Sequence, residues 1–394
     1  MTHLLLAIIY LAFISLGLPD ALLGSAWPVM YQEFSVPLSY AGIVAMIISA
    51  GTITSSLMSD RLTRAWGAGK VTAVSVAMTA AALLGFSLSR SFWMLCLWAV
   101  PYGLGAGSVD ASLNNYVALH YESRHMSWLH CMWGVGAMTG PYIMGYVLSG
   151  GMAWNRGYST IAVLQIVLTA ALFMSLPMWK HRKSVEGGQK EENSNPLSLL
   201  QIIRIPGAKA VMLCFFCYCA IEQTAGLWAS SYLNLHKGVD ADTAASFASL
   251  YFIGITVGRA LSGFLTMKLT DTQMIRSGFA LIAVGVGAML LPLGTAASLA
   301  GLVLAGLGSA PIYPCVIHST PTHFGADQSQ AVIGVQMASA YAGVCLMPPL
   351  FGVIARSISV SLLPMYLMAL LVLMAVMYEV LLKKATGGKK VCKN

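Results

Sequence analysis

The chain alternates long apolar stretches with short polar turns. Apolar runs fall at 4–30, 38–58, 70–88, 91–118, 128–149, 158–178, 208–233, 243–267, 274–293, 296–317, 329–354 and 359–382, twelve in all. Each is roughly 20 residues or longer, the length an α-helix needs to cross a hydrocarbon layer of about 30 Å. The runs are too long and too uniformly apolar for the alternating strands of a membrane barrel. A spanning segment outside a closed barrel must be helical, so that its backbone groups bond internally. The pattern therefore predicts an all-α integral membrane protein with 12 transmembrane helices. One polar stretch is longer than the others, "KHRKSVEGGQKEENSNP" from Lys180 to Pro196, and it divides the chain nearly in half. We expect an N-terminal six-helix bundle over 1–179, a cytoplasmic linker over 180–207, and a C-terminal six-helix bundle with a short basic tail over 208–394.

Internal repeats support that division. "DALLG" at Asp20 in span 1 matches "EQTAG" at Glu222 in span 7, and Trp27 and Tyr31 are echoed by Trp228 and Tyr232. "GLG" at Gly103 in span 4 recurs at Gly306 in span 10, and Pro141 and Gly145 in span 5 recur as Pro348 and Gly352 in span 11. Four ordered matches at offsets of 201–207 suggest a duplicated six-helix unit, so that the two bundles are pseudo-symmetric. Two such halves around a midplane cavity are the architecture of a secondary transporter.

Composition agrees with the membrane reading. Of 394 residues 57% are hydrophobic and 9% charged, against about 25% charged in soluble domains. The net charge of +8 could suggest a nucleic-acid partner, but the placement of the charges argues otherwise. With both termini cytoplasmic, 18 basic residues fall on the inner side and only Arg90, Arg156, Lys237 and Arg356 on the outer side. That asymmetry is the positive-inside rule; it makes the charge topogenic and leaves no nucleic-acid role. We expect a multi-pass protein of a bacterial-type inner (cytoplasmic) membrane. The first run has no preceding Lys or Arg and no small-residue cleavage site, so it reads as a span and not a cleaved signal. The eight cysteines include one tight group, Cys214, Cys217 and Cys219, with no second pair or His cluster. We read them as small buried side chains and expect no metal and no cofactor. No nucleotide loop, H-E-x-x-H or G-x-S-x-G occurs, which leaves no sign of an enzyme.

Three carboxylates lie well inside apolar runs: Asp20, Asp110 and Glu222. A charged side chain at the bilayer centre costs roughly 3 kcal/mol on insertion scales, so such residues face protein or water. Burial disfavours the charged form and exposure restores it. A carboxylate whose surroundings change can take up a proton on one side of a membrane and release it on the other. Asn114 follows Asp110 by four residues and shares its helix face. Gly103 and Gly107 form a small-xxx-small pattern near that face. A polyol substrate would need fixed hydrogen-bonding groups and an aromatic surface. The spans offer Asn114, Asn115, Gln165, Gln223 and Gln336, with Trp27, Trp133, Trp228, Tyr313 and Tyr341. Each could equally serve packing or a membrane interface. His130, beside Trp128 and Trp133, reads as a hydrogen-bonded structural residue or as a proton relay and substrate contact. His318 reads as a turn or gate residue, and Glu379 as an interfacial ion pair with Lys383.

These residues resemble the major facilitator superfamily. "SDRLTR" after span 2 is similar to that family's G-x-x-x-D-R-x-G-R loop, with Asp60, Arg61 and Arg64 matching while Ser56 and Thr63 replace glycines. "GVGAMTGPYIMG" resembles its span-5 motif, and "GRALSG" at Gly258 resembles the second-half loop. "GLPDALLGSAWP", "GLGAGSVDASLNNYV", "WLHCMWGVGAMTGP", "AIEQTAGLWASSYL" and "GLGSAPIYPCVIH" resemble, more narrowly, the fucose-permease-like branch of sugar/proton symporters. The resemblance implies that acids in spans 1 and 4 couple protons and engage substrate, the places held by Asp20 and Asp110, the alternative for each being a structural interhelical hydrogen bond. The repeat puts Glu222 at the equivalent place in the second half, for binding or coupling or as a satisfied structural residue. It also implies a gating role for Asp60, Arg61, Arg64 and Arg259; the alternative for Arg259 is simple topogenic charge. The expected function is proton-coupled symport of a monosaccharide or related small polar solute by a monomer in the lipid bilayer. An antiporter exporting drugs or metabolites is the competing reading, which the span-5 "GAMTGP" favours and the polar residues of the spans oppose. An intramembrane enzyme or a transport-dead sensor is a third reading, and no paired nucleophile and base supports the former.

Overall fold

A computed structural model describes residues 2–185, 196–239, 241–292 and 294–391. The central part of the expected linker, 186–195, and the end of the tail, 392–394, lie outside the described residues. Among the described residues every regular element is an α-helix, apart from two 3-10 turns at Leu38–Tyr40 and Val360–Leu362. In chain order the first helices are α1 (Thr2–Gly17), α2 (Leu22–Glu33), α3 (Ala41–Trp66), α4 (Ala68–Leu88), α5 (Phe92–His120), α6 (Ser123–Ser149) and α7 (Trp154–Val185). Then come α8 (Leu199–Arg204), α9 (Ala208–Lys237), α10 (Ala241–Leu265), α11 (Asp271–Leu290), α12 (Gly294–Ser309), α13 (Ile312–His318), α14 (Thr320–Phe324), α15 (Ala326–Ser357) and α16 (Leu363–Val391).

Ten helical segments among the described residues are long and apolar enough to cross a membrane. The fifth and eighth of the twelve expected runs are helical but fall outside that set. Helix α6 carries histidines, tryptophans, glycines and threonine that dilute its hydropathy, and in α10 the apolar part counted is Leu250–Leu265. Helix ends are set locally. Gly67 stops α3 and starts α4 at φ +80°, a conformation that costs a side-chain-bearing residue dearly. A capping box starts α11: the Gln273 N–H donates to the Thr270 hydroxyl, and the Gln273 side chain accepts from the Thr270 N–H.

The chain divides into two compact units, one of Met1–Tyr116 and Leu129–Leu197 and the other of Val117–Trp128 and Ser198–Asn394. In the first, α7 packs on α4 and α1; in the second, α9 packs on α15 and α16, and α12 on α10 and α11. Helix α7 runs past residue 179, and the short helix α8 lies in the stretch expected as linker.

Within each unit the same backbone contacts recur at repeat-related glycines. A Cβ on Gly103 would lie 2.2 Å from the Ile48 carbonyl oxygen, and one on Gly306 would lie 2.3 Å from that of Tyr251. Both members of this contact are displaced by 203 residues. Likewise a Cβ on Gly136 would lie 2.1 Å from the Ile14 oxygen, and one on Gly343 would lie 2.5 Å from the Phe216 oxygen. Small residues let helix backbones approach where lipid supplies no hydrophobic drive to associate. Gly103→Ala and Gly306→Ala are each expected to cost about 1–3 kcal/mol through overpacking and to lower the thermal midpoint of the purified protein. Gly24→Ala and Gly287→Ala, where a Cβ meets nothing within 4 Å, are expected to leave it unchanged; equal midpoints for all four variants would contradict the close-approach account.

Candidate functional site

The first span is broken between α1 and α2, and the break follows from sequence. Pro19 has no N–H, so the Ser15 carbonyl four residues earlier loses its helical donor. Gln165 on α7 replaces it: its Nε2 donates to the Ser15 oxygen at 2.6 Å, while its Oε1 accepts from the Thr79 hydroxyl at 2.8 Å. Gln165 is 1% exposed and engaged at both ends of its amide, so its work is structural. The turn that follows Pro19 carries Asp20, whose side chain is exposed. Trp133 Nε1 on α6 donates to Asp20 Oδ2 at 2.9 Å, and the Tyr102 hydroxyl on α5 donates to Oδ1 at 3.5 Å.

A second polar chain lies buried in the same unit. Asn114 Nδ2 donates to Asp110 Oδ1 at 2.8 Å, and Asn114 Oδ1 lies 3.0 Å from His130 Nε2. Asp110, Asn114, Asn115 and His130 are all buried. The Phe13 and His130 rings meet nearly at right angles, 5.3 Å between centroids. With the Asn114 amide oxygen as acceptor, His130 Nε2 is the donor, which fixes where one ring proton resides. The arrangement strings a carboxylate, an amide and an imidazole across α5 and α6. Such a series can hold a proton or match successive substrate hydroxyls.

The second unit has a different polar core. Arg259 on α10 is 3% exposed; its Nη2 lies 3.5 Å from Glu222 Oε2 and 3.4 Å from the Tyr218 hydroxyl, both on α9. Tyr313 on α13 packs against Phe215 and Tyr218. Arg259 is thus a buried, paired cation and not an exposed topogenic charge. Its guanidinium turns into the unit because Glu222 supplies the counter-charge that a buried cation needs. Glu379 is an ion-pair residue with Arg276, which makes two 2.9 Å hydrogen bonds to it. His318 is held between Asp271 Oδ2 at 2.6 Å and the Tyr121 carbonyl at 3.2 Å.

Several expected contact residues are occupied elsewhere. Trp27 is 4% exposed, packs on Phe92, and donates its N–H to the Leu38 carbonyl. Trp228 donates to the Pro348 carbonyl and packs on Phe351. Gln336 is buried and accepts from the Thr320 hydroxyl. Gln223 is half-buried on α9 beside Glu222. Asp60 pairs with Arg64 at 2.9 Å across one helical turn, and Arg61 is exposed. Among the described residues no group of three His, Cys, Asp or Glu is placed to hold a metal ion. Two residues escaped the sequence reading, Tyr102 and Tyr218. Tyr218 stands one turn before Glu222 and was in principle legible from that spacing; Tyr102 reaches Asp20 from another helix and was not.

Removing one member of a buried ion pair strands the other, at about 3–5 kcal/mol, while replacing both by apolar groups is often near neutral. Arg259→Met alone is expected to lower the thermal midpoint sharply, and adding Glu222→Leu to restore much of it. Two losses that simply add would show that the groups are not coupled.

A model of the Major Facilitator Superfamily matches residues 9–348 and 211–392. The chain is 23% identical over 283 residues to the Saccharomyces cerevisiae "Bypass of stop codon protein 6", covering 66% of this chain and 56% of that protein, so the match spans little more than half of the yeast relative. It is 21% identical over 316 residues to the Bacillus subtilis "Glucose/mannose transporter GlcP", covering 78% of this chain and 77% of the other. In three dimensions it is similar to the Escherichia coli fucose:proton symporter FucP, with a TM-score of 0.71 at 15% identity, covering 95% of this chain and 98% of that one. The structural likeness is one of fold.

Proposed function

This chain belongs to the major facilitator superfamily, whose members it matches are transport proteins and not enzymes, and from that membership we propose that it is a secondary active transporter that moves a monosaccharide or related small polar solute together with protons. The observation that carries the proposal is the pairing, in one unit, of an exposed carboxylate at a helix break with a buried carboxylate–amide–imidazole chain. Asp20 stands exposed at the helix break and accepts hydrogen bonds from Trp133 and Tyr102, a carboxylate placed to take up and release a proton. Asp110 shares its environment with Asn114 and His130, polar groups suited to hydroxyls. Trp133 offers a half-buried ring beside Asp20 on which the apolar face of a sugar can stack. The names of GlcP and FucP support a sugar or similar polyol as the solute.

Within this proposal Asp20 and Asp110 couple protons. In the first unit Asn114, Asn115, His130 and Trp133 contact the solute; the solute contacts of the second unit are Gln223 and Tyr313. Glu222, neutralised by Arg259, orients that unit's polar core instead of carrying the coupled proton. Trp27, Trp228 and Gln336 act in packing. Asp60, Arg61 and Arg64 serve gating. The protein works as a monomer by alternating access in a bacterial-type cytoplasmic membrane, with both termini inside. The span-5 motif that favoured export has another use here, since Gly136 and Gly140 bring α6 against the carbonyls of Ile14 and Leu18.

The mutants separate coupling from binding. In proteoliposomes, Asp20→Asn and Asp110→Asn are expected to reduce accumulation driven by a pH gradient by at least about tenfold, a loss of about 1.4 kcal/mol of coupling or more. Equilibrium exchange of the same labelled sugar should persist. Gradient-driven accumulation at wild-type levels in both mutants would refute the coupling assignment.

A further inference from the structure

The outer face of the α6–α7 hairpin carries a groove of about 500 Å³ lined by Tyr142, Tyr146, Arg156 and Thr160 over an apolar floor of Ile143, Val147 and Met152. It lies apart from the candidate site. Tyr142 is nine residues beyond Trp133, and at about 3.6 residues per turn that is two and a half turns. The groove therefore opens on the side of α6 opposite the one that meets Asp20. Tyr142 and Tyr146 are 79% and 76% exposed, far more than packing would leave them. Arg156 is exposed, and among the described residues no carboxylate pairs with it. Glu33, near the start of α7, is engaged by the Trp154 N–H at 2.6 Å.

The chemistry changes in order along the hairpin. Arg156, Thr160, Val163 and Val167 follow one another at four, three and four residues, so they form one stripe along α7. The stripe begins with a cation and a hydroxyl and continues as valines that are 56% and 65% exposed. On α6, Tyr146, Tyr142 and Met138 repeat the sequence at four-residue steps, with Met138 46% exposed. Polar and aromatic groups near the hairpin turn, with bare apolar groups one to two turns deeper, match a molecule with an anionic head and hydrocarbon tails. Tyrosine and arginine prefer the level of the headgroups, and a guanidinium pairs with phosphate in two parallel hydrogen bonds.

We infer that this groove binds one anionic phospholipid, its headgroup phosphate on Arg156 between the two tyrosine rings and an acyl chain along Val163 and Val167. A cation near a membrane surface contributes about 1 kcal/mol toward an anionic lipid, which corresponds to about fivefold in affinity.

The test is native mass spectrometry of the full chain in detergent, titrated separately with palmitoyl-oleoyl phosphatidylglycerol and with the zwitterionic phosphatidylcholine of the same chains. The wild type is expected to retain one phosphatidylglycerol about fivefold more tightly than phosphatidylcholine. Arg156→Gln should erase that preference, Arg156→Lys should keep most of it, and Arg90→Gln should leave it intact. Val167→Glu, which sets a carboxylate on the chain track, should weaken retention while Arg156 is still present. Equal retention of the two lipids by the wild type, or an undiminished preference in an Arg156→Gln protein that elutes as the wild type does, would overturn the assignment.

Discussion

A polar group placed in an apolar helix must find a partner, because the surrounding lipid offers none. The Ser15 carbonyl shows how much follows from that rule. Pro19 removes its helical donor, and Gln165 restores one from α7 while taking a hydrogen bond from Thr79 on α4. Three helices are thereby fixed around one proline, and the turn it creates presents Asp20 to Trp133 and Tyr102. The same rule accounts for Asn114 between Asp110 and His130, and for Arg259 against Glu222. These side chains form a small set of polar networks, and the candidate chemistry sits where one of them holds the exposed Asp20.

The two units keep one backbone plan and divide the chemistry between them. The contacts of Gly103 with Ile48 and of Gly306 with Tyr251 are equivalent at an offset of 203 residues. At that offset the place of Asp110 is taken by Tyr313 and the place of Ser56 by Arg259. Backbone approach tolerates only small residues, so the glycines recur. Side chains that fill the space between helices answer only to local partners, so they are free to differ. In the proposed cycle the first unit therefore carries the titrating groups and the second a fixed, neutralised charge pair.

Much of the fold was legible because hydropathy over about 20 residues decides whether a segment can span, and that signal survives without knowledge of any neighbour. The repeat was legible for the same reason, through glycines and a carboxylate at fixed offsets. What side chains touch was less so. Trp27 and Trp228 looked like a surface for a sugar, yet their N–H groups are spent on the Leu38 and Pro348 carbonyls. For Arg259 the sequence left a gate residue and a topogenic charge both open; only the approach of α9 shows it to be the partner of Glu222. Pro19 was in view beside Asp20, but that it would free Ser15 for Gln165, 150 residues away, depends on how α1 and α7 pack.

The central claim is that solute and proton move together in one direction. Proton movement in proteoliposomes holding the wild-type protein, challenged with a panel of sugars, sugar alcohols and small acids without an imposed gradient, tests it most directly. The account predicts that one class of neutral polyol alkalinises the outside as it enters. Silence across the panel, with proton-driven efflux of hydrophobic cations instead, would contradict it and establish export.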